Sequence, residues 1–238
     1  MLPAVVTAHR GASPGIDRLF SLARRSVAEG IGTALLLTVV VGSGIAGERL
    51  SGGNVALALL ANSTATGVGL VALIIAFAPV SGSHLNPVVT VVDIVMRGRP
   101  ARDLLPYVSA QMVGAAVGVA AADAMFGEPL FSVSTKARSG TPLILAEAIA
   151  TFGLLLVAFL SSRRSVGAVA AGVGCYIAAA YWFTSSTSFA NPAVTLARSL
   201  TDTFTGIRPA DVPGFLVGQA VGAAAFVLFA RWLEPKES

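Results

Sequence analysis

Charged side chains are scarce in this 238-residue sequence. It holds 16 Lys and Arg and 12 Asp and Glu, or 12% of the chain, about half the share usual in soluble domains. Cysteine occurs once, at Cys175, so no disulfide can form within the chain. Histidine occurs twice and aromatics make up 7%. No cluster of His, Cys, Asp and Glu has metal-ligand spacing, and no nucleophile lies near a base, so no enzyme activity, metal or cofactor is expected. What remains is apolar: 55% hydrophobic residues and a mean hydropathy of +0.79. This is the composition of an integral membrane protein.

A helix crossing a hydrocarbon core needs about 20 apolar residues. Six runs qualify: Val27 to Ala46, Val55 to Pro79, Leu104 to Phe126, Pro142 to Ser161, Ser165 to Thr184 and Val212 to Leu233. The expected domain is therefore 27–233, preceded by a polar tail over 1–26, with one repeat over about 27–127 and a second over about 142–233. Arg24-Arg25 could imitate a twin-arginine signal, but the apolar run after it is one of six, so a retained first span is expected. With the amino terminus inside, the outer face receives only Arg49, Lys136, Arg138, Arg198 and Arg208, and the other eleven basic residues fall on the inner face. That asymmetry predicts both termini in the cytoplasm, and the expected location is the cell's inner (plasma) membrane. It also accounts for the basic charge, so no nucleic-acid partner is expected.

The halves repeat. "AEGIGT" opens the first span (Glu29, Thr33) and "AEAIAT" the fourth (Glu147, Thr151). "QMVGAAVG" from Gln111 lies in the third and "QAVGAAAF" from Gln219 in the sixth. Between the second and third spans of each half stands an Asn-Pro turn, "SGSHLNPVVTVVDI" with Asn86-Pro87-Val88 and "SFANPAVTLARSL" with Asn191-Pro192-Ala193. Three crossings per half force the second half to enter inverted, so the two turns approach from opposite faces. Asn is a favoured helix cap and Pro a favoured first helical residue. The segments Pro87 to Met96 and Pro192 to Leu200 are too short to span and read as re-entrant half-helices. Irregular backbone at that depth is tolerated only where protein buries it or it lines a watery path. Gly114, Gly118, Gly218 and Gly222 read as close-packing positions between helices.

On these motifs the sequence resembles the aquaporin and aquaglyceroporin channels, the major intrinsic proteins, over roughly Val27 to Leu233. The resemblance implies an all-α membrane protein, six transmembrane helices plus two half-helices in inverted repeats, assembled as a homotetramer with one pore per subunit. It assigns Asn86 and Asn191 to the pore, with Val88 departing from the usual Ala of the first box. Glu29 and Glu147 would accept hydrogen bonds from the re-entrant loops, the alternative being a proton relay. His84 would anchor its loop, the alternative being a titrating gate.

The resemblance also places an Arg directly after the second box, at the narrowest point, where this chain has Val194. Counting back through Ala76-Phe77-Ala78 puts Val68 at the second-span filter position. Counting from the second box gives Ala179, or Ala178, on the fifth span and Ser188 on the loop. Such a filter is wide and apolar. Arg198 and Asp93 share an offset of seven from their Asn: Arg198 either lines the outer vestibule or pairs with Asp202, and Asp93 pairs with cytoplasmic arginines. Cys175 reads as a packing residue.

The function expected is passive conduction of small neutral solutes, arsenite and related metalloid hydroxides together with glycerol and water, as in the bacterial arsenic-operon branch. A water and glycerol facilitator without a metalloid role, an ion-coupled transporter and a non-conducting structural protein are the alternatives. Membrane lipid and the solutes themselves are the only other partners expected.

Overall fold

The computed structural model describes residues 19–233. Six long helices and two short ones follow in order: α1 (Leu22–Leu50), α2 (Val55–Ser81), α3 (Pro87–Arg97), α4 (Leu104–Phe126), α5 (Thr141–Ser161), α6 (Val166–Phe183), α7 (Pro192–Ala197) and α8 (Val212–Leu233). The six long ones are long and apolar enough to cross a membrane. The described residues contain no strand. α3 and α7 are the two half-helices, and a 3-10 turn, Arg198–Leu200, prolongs the second.

The first helix starts earlier than its hydropathy indicates, at Leu22. Ser21 caps it, its Oγ accepting from the Arg24 N–H at 3.4 Å. Arg25 is buried and donates to Asp103 Oδ2 at 2.6 Å and to the Tyr107 hydroxyl at 3.3 Å. The end of the expected 1–26 tail is thus part of the bundle, and the rest of it, residues 1–18, lies outside the described residues. Hydropathy counts an arginine as polar and cannot see a partner 78 positions away.

Within each half the first helix packs on the second and third long helices, α1 on α2 and α4, α5 on α6 and α8. The halves join where α2 meets α6. In lipid the tails are as apolar as the side chains, so helices associate by close approach at small residues. A methyl group on Gly114 would overlap the Gly30 carbonyl of α1, and one on Gly222 would overlap the matching Ala148 carbonyl of α5. At the junction, Gly67 and Gly174 abut each other's carbonyls in the same way.

α1 begins and α8 ends on one face, here the terminal face, where Arg25, Asp103 and Arg99 meet. The opposite, far face carries the 127–140 connection and the 198–211 segment, tied by Ser134 N–H to Ser199 C=O at 3.0 Å and Arg208 N–H to Lys136 C=O at 2.8 Å. α3 and α7 enter from opposite faces, and each touches α4, α8 and the other.

Replacing Gly114 or Gly222 with Leu should separate α1 from α4 or α5 from α8. Each variant is expected to unfold well below the parent temperature in detergent, reflecting about 1–3 kcal/mol of overpacking, whereas Gly167→Ala, exposed in the first turn of α6 with room for a methyl group, should not. Size-exclusion profiles and thermal melts check this.

Candidate functional site

The backbone before each Asn-Pro turn adopts conformations that L-residues avoid. Ser83 and Leu85 have φ of 52° and 50°, and their counterparts Ser188 and Ala190 both have 49°. Left-handed backbone costs about 1–2 kcal/mol per non-glycine residue, so something must hold it. In the first loop that is Glu29, wholly buried on α1. Its Oε1 accepts from Ser81 Oγ at 2.6 Å and His84 N–H at 2.9 Å, and its Oε2 from Leu85 N–H at 2.6 Å and Gln111 Nε2 at 2.8 Å. In the second loop Glu147 accepts from Ser186 Oγ at 2.7 Å, Phe189 N–H and Ala190 N–H at 2.8 Å each, and Gln219 Nε2 at 2.7 Å.

Each carboxylate thus fills its four acceptor sites, and the two sets match position for position. Gln111 and Gln219 extend them by donating to Thr90 Oγ1 at 3.0 Å and Thr195 Oγ1 at 2.8 Å, in the first turns of α3 and α7. The N–H and C=O of a trans peptide point in opposite directions. With the N–H groups of residues 84, 85, 189 and 190 turned to the carboxylates, the carbonyls of Ser83, His84, Ser188 and Phe189 point away from them.

At the half-helix starts, Asn86 Oδ1 accepts from Val88 N–H at 2.9 Å, and Asn191 Oδ1 from Ala193 N–H at 2.9 Å and Val194 N–H at 3.3 Å. The two amides are also cross-linked: Asn86 Nδ2 donates to the Ala190 carbonyl and Asn191 Nδ2 to the Leu85 carbonyl, both at 2.8 Å. Each Nδ2 keeps a second hydrogen. Pro87 and Pro192 occupy first-turn positions that need no N–H partner. Ala193 is buried, while Val88 packs against the cluster of Val92, Leu155 and Phe226.

The first loop is also tied to the terminal face. His84 places Nδ1 3.1 Å from Thr90 Oγ1 and Nε2 3.3 Å from Asp93 Oδ2. Asp93 accepts from Arg99 Nε at 2.7 Å and lies 3.7 Å from Arg97 Nη1. Tyr107 donates to the Ser81 carbonyl at 2.9 Å.

The expected filter residues do not all meet. Ser188 in the second loop and Val194 in α7 are each buried, and the Ser188 Oγ has no hydrogen-bond partner among the described residues. Val68, in contrast, is 65% exposed. On α2, Gly67 faces Gly174 of α6 and Gly69 faces Val39 of α1. At about 100° per residue, Val68 falls between these neighbours on the outward side and Thr66 between them on the inward side.

The same holds on α6. Ala178 faces Gly67 of α2, Tyr176 faces Gly153 of α5, and Ala179 is exposed between them. The buried side presents Ile177, Ala180 and Tyr181. Thr66 Oγ1 and the Tyr181 hydroxyl lie 3.3 Å apart. Val68 and Ala179, expected at the filter, thus lie on the outward side of their helices instead, since counting from a motif does not fix helix rotation. Cys175 also lies exposed.

On the far face a cavity of about 280 Å³ is lined by Leu59, Asn62, Lys136, Arg138, Thr187, Arg198 and neighbours. Arg198 does not pair with Asp202, whose carboxylate accepts from Thr135 N–H at 2.8 Å. It lies buried instead, its Nε donating to the Thr205 carbonyl and its guanidinium 3.4 Å from the centroid of Phe189. Lys136 and Arg138 were not foreseen at this site. Their signal in the sequence is a long irregular connection with two basic residues and no acid between Glu128 and Glu147.

A helical membrane protein of inverted repeats, with paired Asn-capped half-helices meeting inside it, has the architecture of a solute channel. The family model "Major intrinsic protein" matches residues 18–166. The chain is 49% identical over 214 residues to Aquaglyceroporin AqpS of Rhizobium meliloti, covering 90% of this chain and 91% of that one. It is 28% identical over 240 residues to Probable aquaporin AqpM of Archaeoglobus fulgidus, with coverages of 90% and 96%. The structure of the aquaglyceroporin from Plasmodium falciparum shares the fold, with a TM-score of 0.73 at 23% identity over 88% of this chain and 95% of that one. The chain belongs to the major intrinsic protein family.

Glu147→Gln sets an amide donor against the donors Ala190 N–H and Gln219 Nε2. It is expected to lower stability by about 2 kcal/mol or more, as loss of hydrogen bonds to a buried charge does, and to speed amide exchange over 186–190. Glu29→Gln should act alike on 83–85, while Glu48→Gln at the exposed end of α1 should do neither.

Proposed function

We propose that the protein is a passive, aquaglyceroporin-type channel for small uncharged hydroxylated solutes, with arsenous acid and related metalloid hydroxides among them besides glycerol and water. The observation that carries this reading is the meeting of Asn86 and Asn191 across the two half-helix starts. Each half-helix N-terminus carries roughly half a positive charge. Together, at ~5 Å and an effective dielectric near 20, they oppose a monovalent cation by roughly 3 kcal/mol. A neutral solute escapes that penalty. It receives the spare Nδ2 hydrogens as donors and the Ser83, His84, Ser188 and Phe189 carbonyls as acceptors, so a hydroxyl finds both kinds of partner in place of water.

The metalloid reading rests on width and polarity. Val194 replaces the bulky cation that the family resemblance puts at the constriction, and Thr66, Tyr181 and Ser188 are the hydroxyls we assign there beside it. Arsenous acid is uncharged at neutral pH and presents three hydroxyls much as glycerol does. A channel adds no energy, so net flux follows the solute gradient. His84, Glu29 and Glu147 serve as loop anchors in this reading, with Asp93 paired on the terminal face and Arg198 in the vestibule wall. Exposed apolar side chains such as Val27, Ile31 and Leu35 on α1 suit contact with lipid or with neighbouring subunits of a homotetramer. The positive-inside asymmetry supports both termini in the cytoplasm, and six apolar helices suit a location in the inner membrane.

Light scattering of reconstituted vesicles under gradients of arsenous acid, glycerol and water tests the reading. Arsenous-acid flux no greater than in empty vesicles removes the metalloid role, and glycerol and water fluxes at the empty level remove the channel. Val194→Arg should reduce glycerol and arsenous-acid permeability by roughly tenfold or more, about 1.4 kcal/mol, with a smaller effect on water; equal loss of all three would displace Val194 from the constriction.

A further inference from the structure

The 127–140 connection carries the basic side chains that the channel reading leaves without a task. It is pinned across the far face: Ser134 N–H reaches the Ser199 carbonyl, Thr135 N–H the Asp202 carboxylate at 2.8 Å, and Arg138 N–H the Asp211 Oδ2 at 2.8 Å. The last of these turns Arg138 inward. Its Nε donates to the Gly206 carbonyl at 2.7 Å, and its guanidinium lies 5.3 Å from the centroid of Phe189, the residue following Ser188.

No acidic side chain pairs with this guanidinium among the described residues. The vestibule cavity is lined by Lys136, Arg138 and Arg198 and by no acidic residue. Glu48 and Asp202 act on Lys136, and Asp211 forms its ion pair with Arg208 at 2.9 Å. Glu147 and Tyr181 are within electrostatic reach of Arg138, and Glu147 of Arg198 as well, but among the described residues neither arginine forms an ion pair with an acid. Arg198, 1% exposed, is sealed beneath Phe189. Arg138 is half-buried and lines the opening.

We propose that Arg138 supplies, from the connection between the two halves, the fixed positive charge at the far-face entrance that position 194 lacks, so that the pore rejects cations there while staying wide at Val194. This rests on the channel reading above. It separates two properties that a single arginine in the constriction would combine, because charge is set by a loop side chain at the rim and width by an aliphatic one deeper in.

The test uses the full chain in proteoliposomes with glycerol as the neutral probe and guanidinium as a small permanent cation. The parent protein should pass glycerol and hold guanidinium at the empty-vesicle level. Arg138→Gln should raise the guanidinium-to-glycerol permeability ratio by roughly tenfold, about 1.4 kcal/mol, and Arg138→Lys should keep it low. A ratio unmoved by Arg138→Gln, a ratio equally raised by Arg138→Lys, or guanidinium flux through the parent protein would each overturn the proposal. Should Arg138→Gln not assemble, Arg138→Met, which keeps the side chain's reach over Phe189, is read the same way. Absence of glycerol flux through the parent overturns the channel reading instead.

Discussion

Peptide N–H groups placed at membrane depth need acceptors, and two buried carboxylates, Glu29 and Glu147, provide them. An unsatisfied peptide group in an apolar medium costs several kcal/mol, and a carboxylate there is costlier still unless it is fully hydrogen-bonded. Each problem answers the other. The loops give each carboxylate two N–H donors, a Ser hydroxyl and a Gln amide, and the carboxylates hold the loops in a backbone shape they would not keep alone. That shape sets the direction of each half-helix and the position of its Asn.

Much of this arrangement could be read directly from the chain. Six apolar runs gave six helices, and the repeated Asn-Pro turns, each preceded in its half by a Glu-x-x-x-Thr opening, marked the half-helices and their anchors. Helix rotation was harder. A two-residue error turns a side chain by about 200°, which is the difference between Thr66 inside and Val68 outside, and nothing in an apolar helix of small residues marks which side faces in. Only contacts such as Gly67 on Gly174 fix it. Ion pairs across long separations were equally silent. Arg25 looked like part of a tail because Asp103 and Tyr107, which bury it, lie in another helix, and Arg138 looked like an ordinary loop residue because its neighbours at Gly206 and Phe189 come from the other half.

The two-fold relation of the halves is close in the backbone and in the buried carboxylates, and is lost in the charges at the mouths. Seven residues after Asn86 stands Asp93, held by Arg99 and His84. Seven after Asn191 stands Arg198, which lies against an aromatic ring and a backbone carbonyl. The skeleton demands symmetry only where polar backbone must be satisfied at depth. At the mouths, where water can do that, the sequence has diverged, and the two entrances carry different charge patterns around the same path.

The reciprocal bonds between Asn86 and Ala190 and between Asn191 and Leu85 also bear on how such a protein is made. Neither loop can be completed by its own half. A chain inserted only through α6 has an Asn86 amide whose acceptor has not yet entered, and the second loop still lacks Gln219 from α8. The full set of hydrogen bonds that fixes both Asn-Pro turns is therefore in place only once the last helix has packed.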